Sequence, residues 1–137
     1  MSTPFHLSIT VSDLEAARRF YVGVLGCPEG RSAPTWIDFD FFGHQLSVHL
    51  GPVVEPKPLG QVDGTAVPMP HFGAVLPLGQ WSSLAERLTA SGQEFELPPQ
   101  RRFVGEAGEQ ALMFFRDPSG NAIEIKGFAT TDRLFES

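Results

Sequence analysis

Hydrophobic and polar positions recur with regular spacing along most of the chain, and the spacing predicts its first elements. Phe5 to Val11 is rich in β-branched and apolar residues, which is typical of a strand. Ser12 and Glu15 have the spacing of a capping box, with Ser12 as the N-cap. Apolar residues then recur at helical intervals until Gly26, which predicts a short amphipathic helix that ends at this glycine.

The periodicity then changes from helical to alternating. Residues 35–42 and 45–50 predict two antiparallel strands joined by a tight turn at Gly43. Residues 51–70 break the pattern with five prolines and three glycines. This segment is predicted to be a linker, a flap or a crossing between two modules.

The second half of the chain repeats the first. His71 opens a strand over 71–76 and follows His6 of the first strand by 65 residues. A helix that ends at Gly92 comes next. The later elements are a short strand over 94–97, a turn at Pro98-Pro99, a strand over 111–116, a type I turn over 117–120 and a last strand over 121–128. The predicted organisation is a module over 1–50, the crossing over 51–70, a module over 71–128 and a tail over 129–137.

Composition narrows the classes of partner. The net charge is -6, and no Lys/Arg cluster is larger than a pair, which argues against nucleic acid and anionic membrane as partners. No apolar run approaches the ~18–20 residues of a membrane span. The chain enters a strand pattern at once, leaving no room for a signal peptide, so a cytoplasmic location is expected. The single cysteine, Cys27, is expected to be a small buried apolar residue.

Strand parity places the candidate functional residues on one face of each module, since alternate side chains point to opposite faces. His6 shares a face with Ser8 and Thr10, and Glu124 shares one with Ala122 and Lys126. Gln45, Ser47 and His49 likewise share a face, whereas His44 has the opposite parity and is expected to be exposed. The fold class is therefore predicted as α+β, a curved mixed sheet whose polar faces line a cup with the helices outside.

Two histidines and one carboxylate suit a metal ion. Imidazole and carboxylate bind Fe, Mn, Ni, Zn or Co, and open positions would allow the ion to act as a Lewis acid. The carboxylate of Glu124 in an apolar strand needs a partner, because an unpaired buried carboxylate is costly. We therefore predict that His6, His71 and Glu124 bind one divalent metal ion.

Three stretches of this sequence resemble the vicinal oxygen chelate superfamily. They are HLSITVSDLEAARRFYVGVLG, PHFGAVL and FFRDPSGNAIEIKGF, and they span the beginning, middle and end of the chain. The superfamily includes glyoxalase I, extradiol dioxygenases, fosfomycin-resistance transferases, methylmalonyl-CoA epimerase and bleomycin-binding proteins. The resemblance implies two βαβββ modules, a metal-dependent activity and a homodimer.

By this resemblance, His6, His71 and Glu124 match metal-ligand positions, and His49 matches a fourth position that usually holds Glu or Gln. His49 would either complete the metal site or act as a general base, and Glu124 is the second candidate for proton transfer. The substrate pocket is assigned to Ser8, Gln45, Ser47, Gly73 and Lys126.

Three functions follow as hypotheses. An extradiol-type ring-cleavage dioxygenase is favoured, because two His and one carboxylate leave sites for a diol and O2. A glyoxalase-like lyase, isomerase or epimerase is the alternative. A non-catalytic ligand-binding protein is the second alternative, with an apolar pocket from Trp36, Phe39, Phe41, Phe103, Phe114 and Phe115. In each case the partner is a small molecule, and the site lies within one chain or is shared by two.

Overall fold

The computed structural model describes residues 3–62, 64–130 and 134–135. Two compact units comprise Met1–Pro56 with Asp117–Asn121, and Lys57–Arg116 with Ala122–Ser137. The helices are α1 (Leu14–Arg18), a π-helical segment (Arg19–Val24) and α2 (Leu78–Ala90). The strands are β1 (His6–Val11), β2 (Glu29–Ala33), β3 (Trp36–Phe41), β4 (His44–Leu50), β5 (Lys57–Val62), β6 (Thr65–Met69), β7 (His71–Pro77), β8 (Phe95–Arg102), β9 (Gln110–Arg116) and β10 (Ala122–Phe128).

Module 1 (β1, α1, β2, β3 and β4) forms a four-stranded mixed sheet in the order β1-β4-β3-β2. β1 and β4 are parallel, and the other pairs are antiparallel. Ile37, Phe39, Leu46 and Val48 are at most 1% exposed and form the core on the helix side, where the Tyr21 ring stacks on Phe39. Their strand neighbours form the other, polar face of the sheet.

The first helix differs from its sequence prediction at both ends. Asp13, not Ser12, is the N-cap, and its carboxylate accepts a hydrogen bond from the Ala16 N–H at 3.0 Å. Ser12 is engaged elsewhere, because its N–H donates to the Ser119 hydroxyl at 2.9 Å. The proposed capping box is therefore wrong. After Arg18 the helix widens into the π-helical segment, which the apolar spacing did not reveal.

Residues Asp117–Asn121 pack within the first unit around a buried carboxylate. Asp117 is 4% exposed and accepts the Tyr21 hydroxyl at 2.8 Å. It also accepts the backbone N–H groups of Ser119 and Asn121, each at 2.9 Å. The turn predicted at 117–120 is therefore present, and its Asp satisfies backbone donors as Asp commonly does in turns.

Module 2 (β7, α2, β8, β9 and β10) repeats the topology with the order β7-β10-β9-β8. The Trp81 indole of α2 donates to the Ile125 carbonyl at 3.0 Å, which places the helix on the β10 face that carries Ile125. Pro98 and Pro99 lie inside β8, so the predicted turn there is wrong. β8 is an edge strand with register shifts, and a proline is tolerated where no ladder N–H is needed.

The Pro/Gly-rich segment contains a hairpin. β5 and β6 pair antiparallel with a register shift, so the segment is not an irregular linker throughout. Val67 of this hairpin is 1% exposed and packs with Leu112, Phe114 and Leu97 of module 2. The cluster covers part of the sheet face that carries the His71 side chain.

The predicted fold class, α+β with two βαβββ modules, is confirmed. β2 was not assigned bounds from the sequence, because Glu29–Ala33 is an exposed strand with no apolar alternation. In the described part of the chain, no helix is long and apolar enough to cross a membrane.

Candidate metal centre

Two predicted ligands of module 2 meet. His71 Nε2 lies 3.4 Å from Glu124 Oε1, with side chains 19% and 9% exposed. Two ligands that each lie ~2.0–2.2 Å from one ion can have this separation. The pair therefore fits two ligand positions of a single first-row divalent metal ion.

The surroundings of His71 fix which nitrogen faces Glu124. His71 Nδ1 lies 2.7 Å from the Pro68 carbonyl oxygen, which can only accept, so Nδ1 carries the proton and donates. The ring also packs edge-on against Phe114, with centroids 4.9 Å apart. In the neutral ring Nε2 then keeps its lone pair for a metal, the arrangement that usually orients ligating histidines.

Glu124 is the only buried glutamate among the described residues, at 8% exposure. Burial raises the pKa of its carboxyl group, and the charges of Lys126 and His71 oppose that rise. A bound cation would offset the cost of burying this carboxylate. The burial therefore supports metal ligation.

Gly73, predicted to line the pocket, has a backbone role beside this pair. It is the Cα partner of Glu124 in the parallel β7–β10 ladder. A Cβ at Gly73 would lie 1.5 Å from the Glu124 carbonyl oxygen. Only glycine permits this approach of the two strands, so Gly73 helps to place Glu124.

His6 lies on the polar face of module 1 and is exposed. Its Nε2 is 3.3 Å from the Ser8 hydroxyl. Across residues 3–62, 64–130 and 134–135, no three His, Cys, Asp or Glu side chains are gathered closely enough to hold a metal ion. The structure thus brings together two of the three predicted ligands, and His6 as the third stays a prediction.

The strand registers of the two modules identify equivalent positions. His6 pairs with Gln45 and Ser8 with Ser47, as His71 pairs with Ala122 and Gly73 with Glu124. Ser47 is therefore the module 1 equivalent of Glu124.

By the same registers His49 corresponds to Lys126, and both side chains are exposed. This correspondence favours a role other than metal ligation for His49. Lys126 is an exposed charge two residues from Glu124, and its place in the substrate pocket stays a prediction.

Asp38 lies on the polar face of the module 1 sheet, and the sequence did not single it out as a site residue. It is half-buried on β3, directly across from Ser47. The Ser47 hydroxyl donates to its Oδ1 at 2.6 Å, and Gln45 Nε2 donates to its Oδ2 at 3.2 Å. The alternation of 35–42 already placed Asp38 on the polar face, but nothing local distinguished it from Asp40.

Other predictions have mixed outcomes. Cys27 is buried at 1% exposure, as expected. His44 is half-buried rather than exposed, because its Nδ1 accepts the Phe5 N–H at 2.7 Å. Of the aromatic residues proposed to line an apolar pocket, four are buried, at 4% exposure or less: Phe39, Phe41, Phe114 and Phe115. Phe39 also lines a cleft of the first unit, and the pocket of the second alternative stays a prediction.

Comparison with known proteins supports the family resemblance. The family model described as Glyoxalase/Bleomycin resistance protein/Dioxygenase superfamily matches residues 3–125. This match covers most of the chain and confirms the resemblance seen in the three sequence stretches.

Solved structures show the same fold. A glyoxalase/bleomycin resistance protein/dioxygenase from Alicyclobacillus acidocaldarius is 33% identical with a TM-score of 0.74, over 98% of this chain and 96% of that one. An integron cassette protein from the mobile metagenome of V. cholerae is 26% identical with a TM-score of 0.62, over 93% and 95% of the two chains. The fosfomycin resistance protein FosX from Listeria monocytogenes is 20% identical with a TM-score of 0.70, over 98% and 99%, a likeness of fold alone.

Proposed function

Because the chain belongs to the glyoxalase/bleomycin resistance protein/dioxygenase superfamily, we propose that it is a divalent-metal-dependent enzyme acting on a small substrate bound through its oxygen atoms. The observation that carries the proposal is the 3.4 Å approach of the partly buried His71 imidazole to the buried Glu124 carboxylate, with the histidine tautomer suited to ligation. His6 is the proposed third ligand, from module 1 of the same chain or of a second copy in a homodimer. When bound, the ion supplies a Lewis acid for substrate oxygens.

Extradiol-type ring cleavage is the reaction we propose first. Two histidines and one carboxylate would hold the ion, and the ion would then offer binding positions to a diol and to O2. The register supports this count, since the module 1 equivalent of Glu124 is Ser47, whose hydroxyl is committed to Asp38. A fourth protein ligand from that position is therefore not expected.

A glyoxalase-like lyase or isomerase is the second candidate. The observation in its favour is the carboxylate of Asp38, which lies on the same face of the module 1 sheet as His6. The proton transfer of such a reaction needs a base, and a carboxylate at this position could serve as one.

Metal occupancy tests the ligand set. After loading with Fe(II), Mn(II) or Zn(II) and desalting, the wild-type protein should retain about one ion per site. His6→Ala, His71→Ala and Glu124→Gln should each weaken metal binding more than about 100-fold, because changes to residues behind the ligands already cost about 10–100-fold. Ser83→Ala on α2 is the control. Wild-type occupancy in all three variants would refute the site.

A mixture of two inactive variants distinguishes the two assemblies. If ligands are exchanged between chains, refolding His6→Ala with Glu124→Gln produces mixed dimers in which one site has all three ligands. Metal occupancy should then return to about a quarter of wild type, from half the dimers carrying one intact site each. Sites formed within one chain would give no recovery.

Oxygen consumption distinguishes the two reactions. With Fe(II) and a panel of catechols, ring cleavage should consume O2 and stop under anaerobic conditions. Anaerobic turnover of a 2-oxoaldehyde hemithioacetal would instead favour the lyase or isomerase. A metal-loaded protein that turns over neither class would favour the ligand-binding alternative.

A further inference from the structure

Module 1 has a hydrogen-bonded Ser–Asp pair at the place where module 2 has a metal-ligand candidate. Ser47 is the register equivalent of Glu124, and Asp38 lies across from it as Phe114 lies across from Glu124. Module 2 thus has an apolar ring at the position where module 1 has a carboxylate. Of these two equivalent positions, only the one in module 1 carries a group that can accept a proton.

The carboxylate of Asp38 is held in place by the neighbouring strand. The 2.6 Å bond from the Ser47 hydroxyl is short, as expected for a donor to an ionised oxygen. Ser47 is 5% exposed, so this bond is shielded from competing water. Oδ2 accepts only the longer 3.2 Å bond from Gln45 among the described residues, which leaves it able to accept a second donor.

Asp38 opens onto a shallow cleft of about 360 Å³ in the first unit. The other ionisable groups that line the cleft are Arg31 of β2, Asp40 of β3 and His44 of β4. Asp40 Oδ1 accepts the Gly43 N–H at 2.8 Å, and His44 Nδ1 already accepts the Phe5 N–H. Asp38 is therefore the carboxylate that the sheet orients most firmly on this face.

The cleft lies next to the cross-strand pair of His6 and Gln45. Gln45, which lines the cleft and donates to Asp38, is also the Cα partner of His6. Asp38 is level with Ser8, two strands from β1, and His6 lies two residues further along that strand. The Cα atoms of Asp38 and His6 are therefore roughly 12 Å apart, at about 4.8 Å per strand and about 3.3 Å per residue. A substrate with one small ring, lying on this face beside His6, can reach the carboxylate.

We propose that Asp38 is the proton acceptor for a hydroxyl group of the substrate, and that Ser47 and Gln45 are its positioning residues. The inference rests on the proposed function. In this step the substrate O–H bond breaks, its electron pair stays on the oxygen, and the proton moves to Asp38 Oδ2. The arrangement therefore requires a substrate that carries a hydroxyl group at this end.

Proton counting on a bound probe tests the step without turnover. 4-Nitrocatechol is titrated into the Mn(II)-loaded protein by calorimetry in buffers of different ionisation enthalpy, which gives the protons released per bound probe. In the wild type Asp38 retains one of the protons that the probe loses. Asp38→Asn, whose amide oxygen can still accept from Ser47, should release about one more proton per bound probe. Its affinity for the probe should fall at least tenfold.

Asp40→Asn is the matched control, since it removes a carboxylate from the same strand and the same cleft. It should release the same number of protons as the wild type. Asp38→Ala gives a second test if Asp38→Asn does not fold, and thermal unfolding and Mn(II) content are measured for each variant. Equal proton release by the wild type and a folded, metal-loaded Asp38 variant would overturn the proposal. A wild-type protein that binds Mn(II) but not the probe would instead count against the proposed function.

Discussion

Modules 1 and 2 share one topology but differ in the chemistry of their equivalent faces. On module 2, the buried Glu124 carboxylate lies 3.4 Å from the partly buried His71, whose ring packs against Phe114. On module 1, the places of Glu124 and Phe114 are taken by Ser47 and Asp38, joined by a hydrogen bond. The sheets are alike because the core faces are alike in pattern, whereas the other faces are free to diverge.

This difference suggests a division of labour between the modules. An apolar environment favours metal ligation, since it limits the access of water to the ligand atoms. A polar face beside an open cleft favours substrate recognition and proton transfer. Within the proposed function, module 2 supplies most of the metal site, and module 1 supplies His6 and the groups that contact substrate.

The largest effect is expected at Gly73, where β7 and β10 of module 2 approach each other closely. Gly73→Ala places a Cβ 1.5 Å from the Glu124 carbonyl oxygen, so β7 and β10 must separate. We expect the free energy of unfolding to fall by about 1–3 kcal/mol or more, and the protein to lose its bound metal on desalting. Urea unfolding and metal analysis measure the two effects.

The register equivalent Ser8 provides the comparison, because module 1 already accommodates a side chain there. Ser8→Ala should change the stability by no more than about 0.5 kcal/mol. Gly79→Ala on α2, where a Cβ would meet nothing within 4 Å, is a second control. If Gly73→Ala were as stable as these variants, the close strand approach would not position Glu124.

A smaller effect is expected at the buried phenol of the first unit. Burial raises the pKa of Tyr21 well above its usual range, and the charge of Asp117 adds to the rise. Its contribution to stability is therefore fully present below about pH 10 and is lost as the pH rises toward the folded-state pKa. Tyr21→Phe should have a free energy of unfolding about 1–2 kcal/mol lower than that of the wild type at pH 7.5. Between pH 9 and pH 11, the free energy of unfolding should fall less in this variant than in the wild type.

Urea unfolding at several pH values measures both parts of this prediction. Ser12→Ala, which removes an exposed hydroxyl near Ser119, is the control and should follow the wild-type pH profile. An identical alkaline loss of stability in Tyr21→Phe and the wild type would show that Tyr21 does not contribute to it.

The smallest effect is expected at His49. Since its register equivalent is Lys126 rather than Glu124, His49→Ala should retain metal as the wild type does, within about twofold. Metal analysis after desalting decides this, with Glu124→Gln as the variant that must lose the ion. A large loss of metal in His49→Ala would restore His49 as a ligand and contradict the register argument.

Most elements could be predicted from local periodicity, since burial imposes it on each strand and helix. β2 and the β5–β6 hairpin could not, because their residues are largely exposed and have little apolar alternation. Pro98 and Pro99 suggested a turn because prolines are rare inside strands. They fit into β8 because it is an edge strand, and only the sheet order shows that position. The cap at Asp13 was missed because the competing partner of Ser12 is Ser119, 107 residues away.

The sequence alone determined the fold class, the repeat of two modules and the candidates His6, His71 and Glu124. Strand parity and the 65-residue offset between the two histidines can both be read from the chain without knowledge of its fold. Only the tertiary structure decided which candidates meet, since the 3.4 Å separation of His71 and Glu124 depends on the pairing of β7 with β10. It also decided that Ser47 rather than His49 is the equivalent of Glu124. Parity gives the face on which a side chain lies, whereas cross-strand register gives its neighbour, and register is fixed by packing of the whole sheet.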